Sequence, residues 1–122
     1  MAKHGDWYWH ELLTTDAEGA KAFYKAVCGW ASTPMEGQEG YSLATNGPVP
    51  VAGVMGWDSP AGSWRPFIAV RDIQTAKAAV ETGGGKIEQP PTETAGVGTW
   101  MICTDPQGAT FALIQPAGGV ED

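Results

Sequence analysis

Apolar and polar positions along this chain alternate between two spacings, and the alternation occurs twice. Trp7 to Thr14 reads as an opening strand. From Asp16 onward the period lengthens, and Ala20, Phe23, Tyr24 and Val27 recur at helical intervals, giving a first helix with one apolar face. Thr15-x-x-Glu18 has the form of a capping box and Asp16 is the competing cap, while Gly29 is placed to end the helix in a left-handed conformation. The plan then returns. Phe67 to Val70 is strand-like, Asp72 caps a second helix with Ile73, Ala76, Ala79 and Val80 facing inward, and Gly83-Gly84-Gly85 terminates it.

Short strands and turns follow each helix. Tyr41 to Thr45, an Asn46-Gly47 turn and Val51 to Trp57 form a hairpin pattern. Thr99 to Thr104, the turn Asp105-Pro106-Gln107-Gly108 and Thr110 to Gln115 form a second. The segment from Trp57 to Trp64 reads as a linker, and Gly118 to Asp122 as a polar tail.

The two halves also match residue by residue. Asp16, Ala20, Lys21 and Ala22 return as Asp72, Ala76, Lys77 and Ala78 at an offset of 56 residues, and Gly29 meets Gly85 at the same spacing. Two strand-helix-strands units are too few for a solenoid. They can face each other and enclose a cleft. The expected fold is therefore α+β, with two βαβββ modules near residues 7–57 and 64–116, related by a pseudo-twofold axis and belonging to one domain over 1–122.

Composition narrows the function classes. At 122 residues the chain has single-domain size. A formal charge of −7 and a pI near 4.6 disfavour nucleic acid and anionic membranes as partners. No run is long enough to span a bilayer, and the start of the chain lacks the apolar core of a signal peptide. Cys28 and Cys103 lack metal-ligand spacing and read as two buried thiols of a cytoplasmic protein. Gly83-Gly84-Gly85-Lys86 follows a helix and lacks the pattern of a phosphate loop.

Three segments carry a family resemblance: Trp9-His10-Glu11-Leu12-Leu13-Thr14-Thr15-Asp16, then Ala22-Phe23-Tyr24 ahead of Gly29-Trp30, and Asp105-Pro106-Gln107-Gly108-Ala109-Thr110-Phe111-Ala112-Leu113. Together they resemble the vicinal oxygen chelate superfamily of glyoxalase I, extradiol dioxygenases and bleomycin-resistance proteins, and most closely its glyoxalase-like members. The resemblance implies paired βαβββ modules with curled mixed sheets around a cavity. It also implies a homodimer, because members of this length commonly complete their clefts with a second chain.

The superfamily's enzymes hold a divalent metal with His and Glu side chains. The corresponding positions fall on Trp9, Met55, Arg65 and Ala112, none of which supplies an imidazole or carboxylate. No metal and no other cofactor is therefore expected. His10 points to the face opposite Trp9 and is expected in the core or an interface.

Glu11 shares the face of Trp9 and is the residue with most chemical content. Loss of hydration would raise its pKa and suit it to acid–base work; the alternative is an organising pair with Arg65. The expected ligand-binding set is Trp9, Glu11, Met55, Trp57, Arg65, Phe67 and Ala112, with no catalytic residue assigned. Trp7 shares the strand face of Trp9 and Glu11, and Trp57 and Trp64 flank the linker at the expected rim. Such a cavity suits a flat aromatic or cationic small molecule, by stacking and cation–π attraction.

Three functions follow from this reading. The first is a metal-free, bleomycin-resistance-type protein that sequesters a small molecule. The second is a metal-dependent glyoxalase, lyase or dioxygenase using non-standard ligands. The third is a structural role with a vestigial cavity.

Overall fold

The computed structural model describes residues 1–57 and 62–121. The centre of the expected linker, residues 58–61, and the last residue of the expected tail lie outside the described residues. The chain divides into two compact units. One is Trp9–Arg65; the other combines Met1–Tyr8 with Pro66–Asp122.

Each unit is a β-α-β-β-β arrangement. The elements in chain order are β1 (Trp7–Thr14), α1 (Ala17–Cys28), β2 (Ala31–Pro34), β3 (Tyr41–Asn46), β4 (Val49–Gly56), β5 (Ser63–Ala69), α2 (Ile73–Thr82), β6 (Lys86–Thr94), β7 (Gly98–Thr104) and β8 (Thr110–Pro116). In the first unit the strand order is β2-β3-β4-β1, and in the second β5-β8-β7-β6. In both, the opening strand runs parallel to the last strand and the remaining pairs are antiparallel. This is the α+β architecture read from the repeat.

The helix starts obey the same local rule. Asp16 accepts from the Gly19 N–H at 2.9 Å, and Asp72 accepts from the N–H groups of Gln74 and Thr75. Of the two candidate caps at α1, Asp16 holds the position, while the Thr14 hydroxyl accepts from Asp16 N–H. Gly29 closes α1 at φ 78°, where its N–H reaches the Lys25 carbonyl.

The helix faces differ from expectation. Ala17, Ala20 and Tyr24 pack α1 on Leu12, Ala44, Ala52 and Val54, whereas Phe23 and Val27 are 59% and 63% exposed. At 100° per residue Ala17, Tyr24 and Ala20 span a stripe about 60° wide, and Phe23 and Val27 lie about 60° and about 20° beyond its Ala20 edge, outside the stripe that meets the sheet. On α2, Ile73 is buried and Ala76 and Val80 pack against Val70, Met101, Cys103 and Leu113, while Ala79 is exposed.

The β3–β4 hairpin also turns one residue later than read. Asn46 pairs with Val49, so Gly47-Pro48 forms the loop, with Gly47 at φ 60°. A positive first angle followed by proline's fixed negative one is the type II′ geometry, and it leaves Asn46 in the ladder. Strands β2 and β6 carried no strong sequence signal. β2 has four exposed residues, and β6 holds Pro90-Pro91 where its register breaks, which an outer strand tolerates because proline cannot donate to a ladder.

Among the described residues no helix is long and apolar enough to cross a membrane. Cys28 is exposed and Cys103 is buried, so only one of the two thiols fits the buried reading. Helix position decides it: Cys28 is the last residue of α1, whereas Cys103 lies in the central strand pair β7–β8.

Candidate functional site

Two charged side chains are buried in the Trp9–Arg65 unit. Glu11 from β1 is 6% exposed and Arg65 from β5 is 7% exposed, and Arg65 Nη2 donates to Glu11 Oε1. A buried carboxylate or guanidinium alone carries a desolvation penalty of several kcal/mol, which only a well-made pair offsets. The pairing alternative is thus the one the fold adopts. Glu11 accepts from Arg65 through Oε1.

The surroundings come from two further strands. Glu11 is registered against Gly53 across the parallel β1–β4 pair, and Gly53 faces Leu43 across β3–β4, with Tyr41 one residue pair along the same face opposite Met55. A Cβ at residue 53 would overlap the ring and hydroxyl of Tyr41. The missing side chain is what lets the phenol lie across the strand, the close approach that glycine in a strand interior often marks.

Trp9 Nε1 donates to Tyr41 Oη at 3.0 Å. Burial, and after it the Glu11 carboxylate, lift the Tyr41 phenol above its ordinary value of 10.0, so the hydroxyl stays protonated at neutral pH. An indole, a phenol, a carboxylate and a guanidinium form one cluster.

The predicted residues separate into groups. Trp9, Glu11 and Arg65 belong to the cluster, and Met55 is half-buried opposite Tyr41 and Leu13. Trp57 is 47% exposed, and its N–H pairs with the Thr14 carbonyl. Phe67 and Ala112 are in the other unit, where they face each other across β5–β8, both buried.

Trp64 turns toward α1, where its Nε1 donates to Tyr24 Oη at 3.1 Å and its ring meets those of Tyr24 and Trp30. Trp100 is half-buried, and its Nε1 donates to the Thr94 hydroxyl. His10 is exposed in this chain rather than in its core, on the face of β1 opposite Glu11. Sequence reasoning missed Tyr41. The usable signal was Gly53 inside an apolar strand, which implies that something large comes close.

The donor set does not fit the divalent ion of the superfamily's enzymes. The metal positions hold an indole, a thioether, a guanidinium and a methyl group, and the nearby carboxylate faces the guanidinium, whose charge opposes a second cation. Among the described residues, no group of three His, Cys, Asp or Glu side chains could hold a metal.

The sequence and the fold both have relatives. The family model for a glyoxalase-like domain matches residues 9–114. The provisionally named glyoxylase CFP32 of Mycobacterium tuberculosis is 34% identical over 117 residues, covering 93% of this chain and 45% of CFP32. The anthracycline biosynthesis protein DauV of Streptomyces sp. is 27% identical over 123 residues, with 86% and 45% covered. The chain therefore spans about half the length of the curated relatives it matches.

Among solved structures, a substrate complex of homoprotocatechuate 2,3-dioxygenase from Brevibacterium fuscum superposes with a TM-score of 0.67 at 20% identity, covering 99% of this chain and 40% of that one. The Mn(II)-bound glyoxalase from Novosphingobium aromaticivorans gives 0.64 at 18% identity, covering 93% and 40%. At these identities the structures establish the fold alone. The family match over residues 9–114 places the chain: it belongs to the glyoxalase-like family, and its fold is that of the vicinal oxygen chelate superfamily.

Proposed function

We propose that this chain is a metal-free small-molecule-binding domain of the bleomycin-resistance type, which sequesters a flat aromatic ligand beside the Glu11–Arg65 cluster. The observation that carries the reading is the buried pair itself. A guanidinium stands at a position where the superfamily's enzymes carry a metal ligand, and it occupies the one nearby carboxylate. That exchange removes the anionic donors a metal requires and leaves the indole of Trp9 and the phenol of Tyr41 as ligand-facing chemistry. It also favours the aromatic over the cationic half of the sequence expectation, since Glu11 is already neutralised. A homodimer belongs to this proposal, and light scattering at micromolar concentration reads it directly; a monomer there removes that part.

A thermal-shift series with Zn, Ni, Mn, Fe(II) and Mg tests the metal-free reading. A ligand that binds only the native state raises the melting temperature according to its concentration over its Kd. No metal-specific shift is expected. A clear shift that Glu11→Gln abolishes would overturn the reading in favour of a metal-dependent glyoxalase or dioxygenase.

A further inference from the structure

The Glu11–Arg65 pair leaves one hydrogen-bond donor over. Arg65 Nη2 is committed to Glu11, but Arg65 Nε is sealed from solvent and has no partner, the one buried side-chain nitrogen or oxygen among the described residues in that state. The side chain is 8% exposed, so the atom is held in place rather than free to turn toward water. An unpaired buried donor has lost its hydration without compensation, and an acceptor delivered to it recovers that penalty. The guanidinium fork fixes the direction from which such an acceptor must come.

We infer that Arg65 Nε anchors an uncharged acceptor oxygen (a carbonyl or lactone oxygen) on an aromatic ligand. The inference rests on the binding reading above and names its ligand class. Charge balance decides against the alternatives. Glu11 and Arg65 together are neutral. A ligand carboxylate would bring a second negative charge to one buried guanidinium, and a ligand ammonium would face that guanidinium directly; either leaves a charge uncompensated in a buried site. A neutral oxygen needs no counter-charge. Trp9 and Tyr41 in the same cluster supply rings for the body of the ligand. Nε has no exposed surface, so delivery of the oxygen requires side chains around it to move.

Four bicyclic probes of similar size test the assignment on the full chain: coumarin (neutral, with a lactone carbonyl), naphthalene (no oxygen), 2-naphthoate (anionic) and N-methylquinolinium (cationic). Trp fluorescence gives affinities. The side-chain 15Nε–1H resonance of Arg65, assigned by its loss in Arg65→Lys, reports on the atom itself. Coumarin is expected to bind about tenfold tighter than naphthalene, the factor one hydrogen bond supplies, and tighter than both ions. Coumarin alone is expected to shift the Nε resonance.

Arg65→Lys keeps a cation opposite Glu11 but has no Nε–H at that place, and should remove the preference for coumarin over naphthalene. Equal binding of coumarin and naphthalene with an unmoved resonance overturns the Arg65 assignment and leaves the binding reading standing. So does a coumarin preference that survives Arg65→Lys. Tightest binding by 2-naphthoate overturns the uncharged class. Failure of all four to bind overturns the binding reading and this inference with it. Should Arg65→Lys not fold, the resonance is assigned instead as the one that persists in Arg71→Lys, Arg65 and Arg71 being the two arginines of the chain, and it decides the matter together with the probe ranking in the unaltered protein.

Discussion

The two units of this protein share a plan and differ in what they bury. In the second, Val70, Ile73, Met101, Cys103 and Leu113 form an apolar cluster under α2, with Met101 and Cys103 fully enclosed. In the first, α1 rides on Leu12, Ala44, Ala52 and Val54, a thinner layer of smaller side chains, and the unit also holds a buried ion pair. The 56-residue offset makes the contrast sharp, because it sets Glu11 against Phe67 and Trp9 against Arg65. One copy filled the position with a ring and the other with a carboxylate that needs a partner. Apolar packing is sufficient for stability, so the copy that retains buried charge is where binding chemistry is to be sought.

The largest test of this contrast breaks the pair. Glu11→Ala leaves Arg65 buried and uncompensated and should destabilise the protein by about 3–5 kcal/mol in urea unfolding. The double substitution Glu11→Leu with Arg65→Met makes the first unit resemble the second. It should be close to neutral in the same assay while abolishing ligand binding. A double variant as unstable as the single one would show that the pair itself stabilises the fold.

Gly53→Ala should be nearly as informative. The added methyl meets the Tyr41 ring, and overpacking of this kind is unfavourable by about 1–3 kcal/mol. Combining it with Tyr41→Ala should recover part of that loss. No recovery would mean that the Tyr41 ring is not what makes residue 53 glycine.

Alkaline pH separates the units more gently. Tyr41 in the first unit has its phenol raised above 10.0, chiefly by burial. Cys103 in the second has its thiol pushed up from 9.0 to about 11, by burial and then by the Glu88 charge. For both groups the folded state holds its proton where the unfolded chain releases it. Their contribution is therefore intact below the unfolded value and lost as pH rises. Stability should fall from about pH 9 to 11 for Cys103 and from pH 10 upward for Tyr41. Cys103→Ala should flatten the first slope and Tyr41→Phe the second. An unchanged slope in either variant would show that another group titrates there.

The smallest expected effect lies in what the units share. Asp16→Ala and Asp72→Ala each remove a helix cap and should each lower stability by about 1 kcal/mol, with neither altering probe binding. A loss of binding in the Asp16 variant would tie α1 to the site.

What the sequence determined by itself was everything governed by neighbours a few residues apart. The caps at Asp16 and Asp72, the left-handed Gly29, the opening strand and the repeated β-α-β order depend on side chain and backbone within one or two turns, and the structure holds each where it was read. The weak spots were also local in origin. Apolar spacing allowed Phe23 and Val27 as readily as Ala17, Ala20 and Tyr24, and only the sheet beneath α1 selected among them.

The site was legible in part. Glu11 and Arg65 could be nominated as partners from their positions in the repeat, but nothing in 54 residues of separation states that they touch. Tyr41 needed the absent side chain of Gly53 on another strand, and the orphaned Nε of Arg65 is a property of its whole surroundings. Burial, charge pairing and close approach are many-body quantities. They come into being only when distant segments share a volume from which water is excluded, and that is what the tertiary structure alone decided.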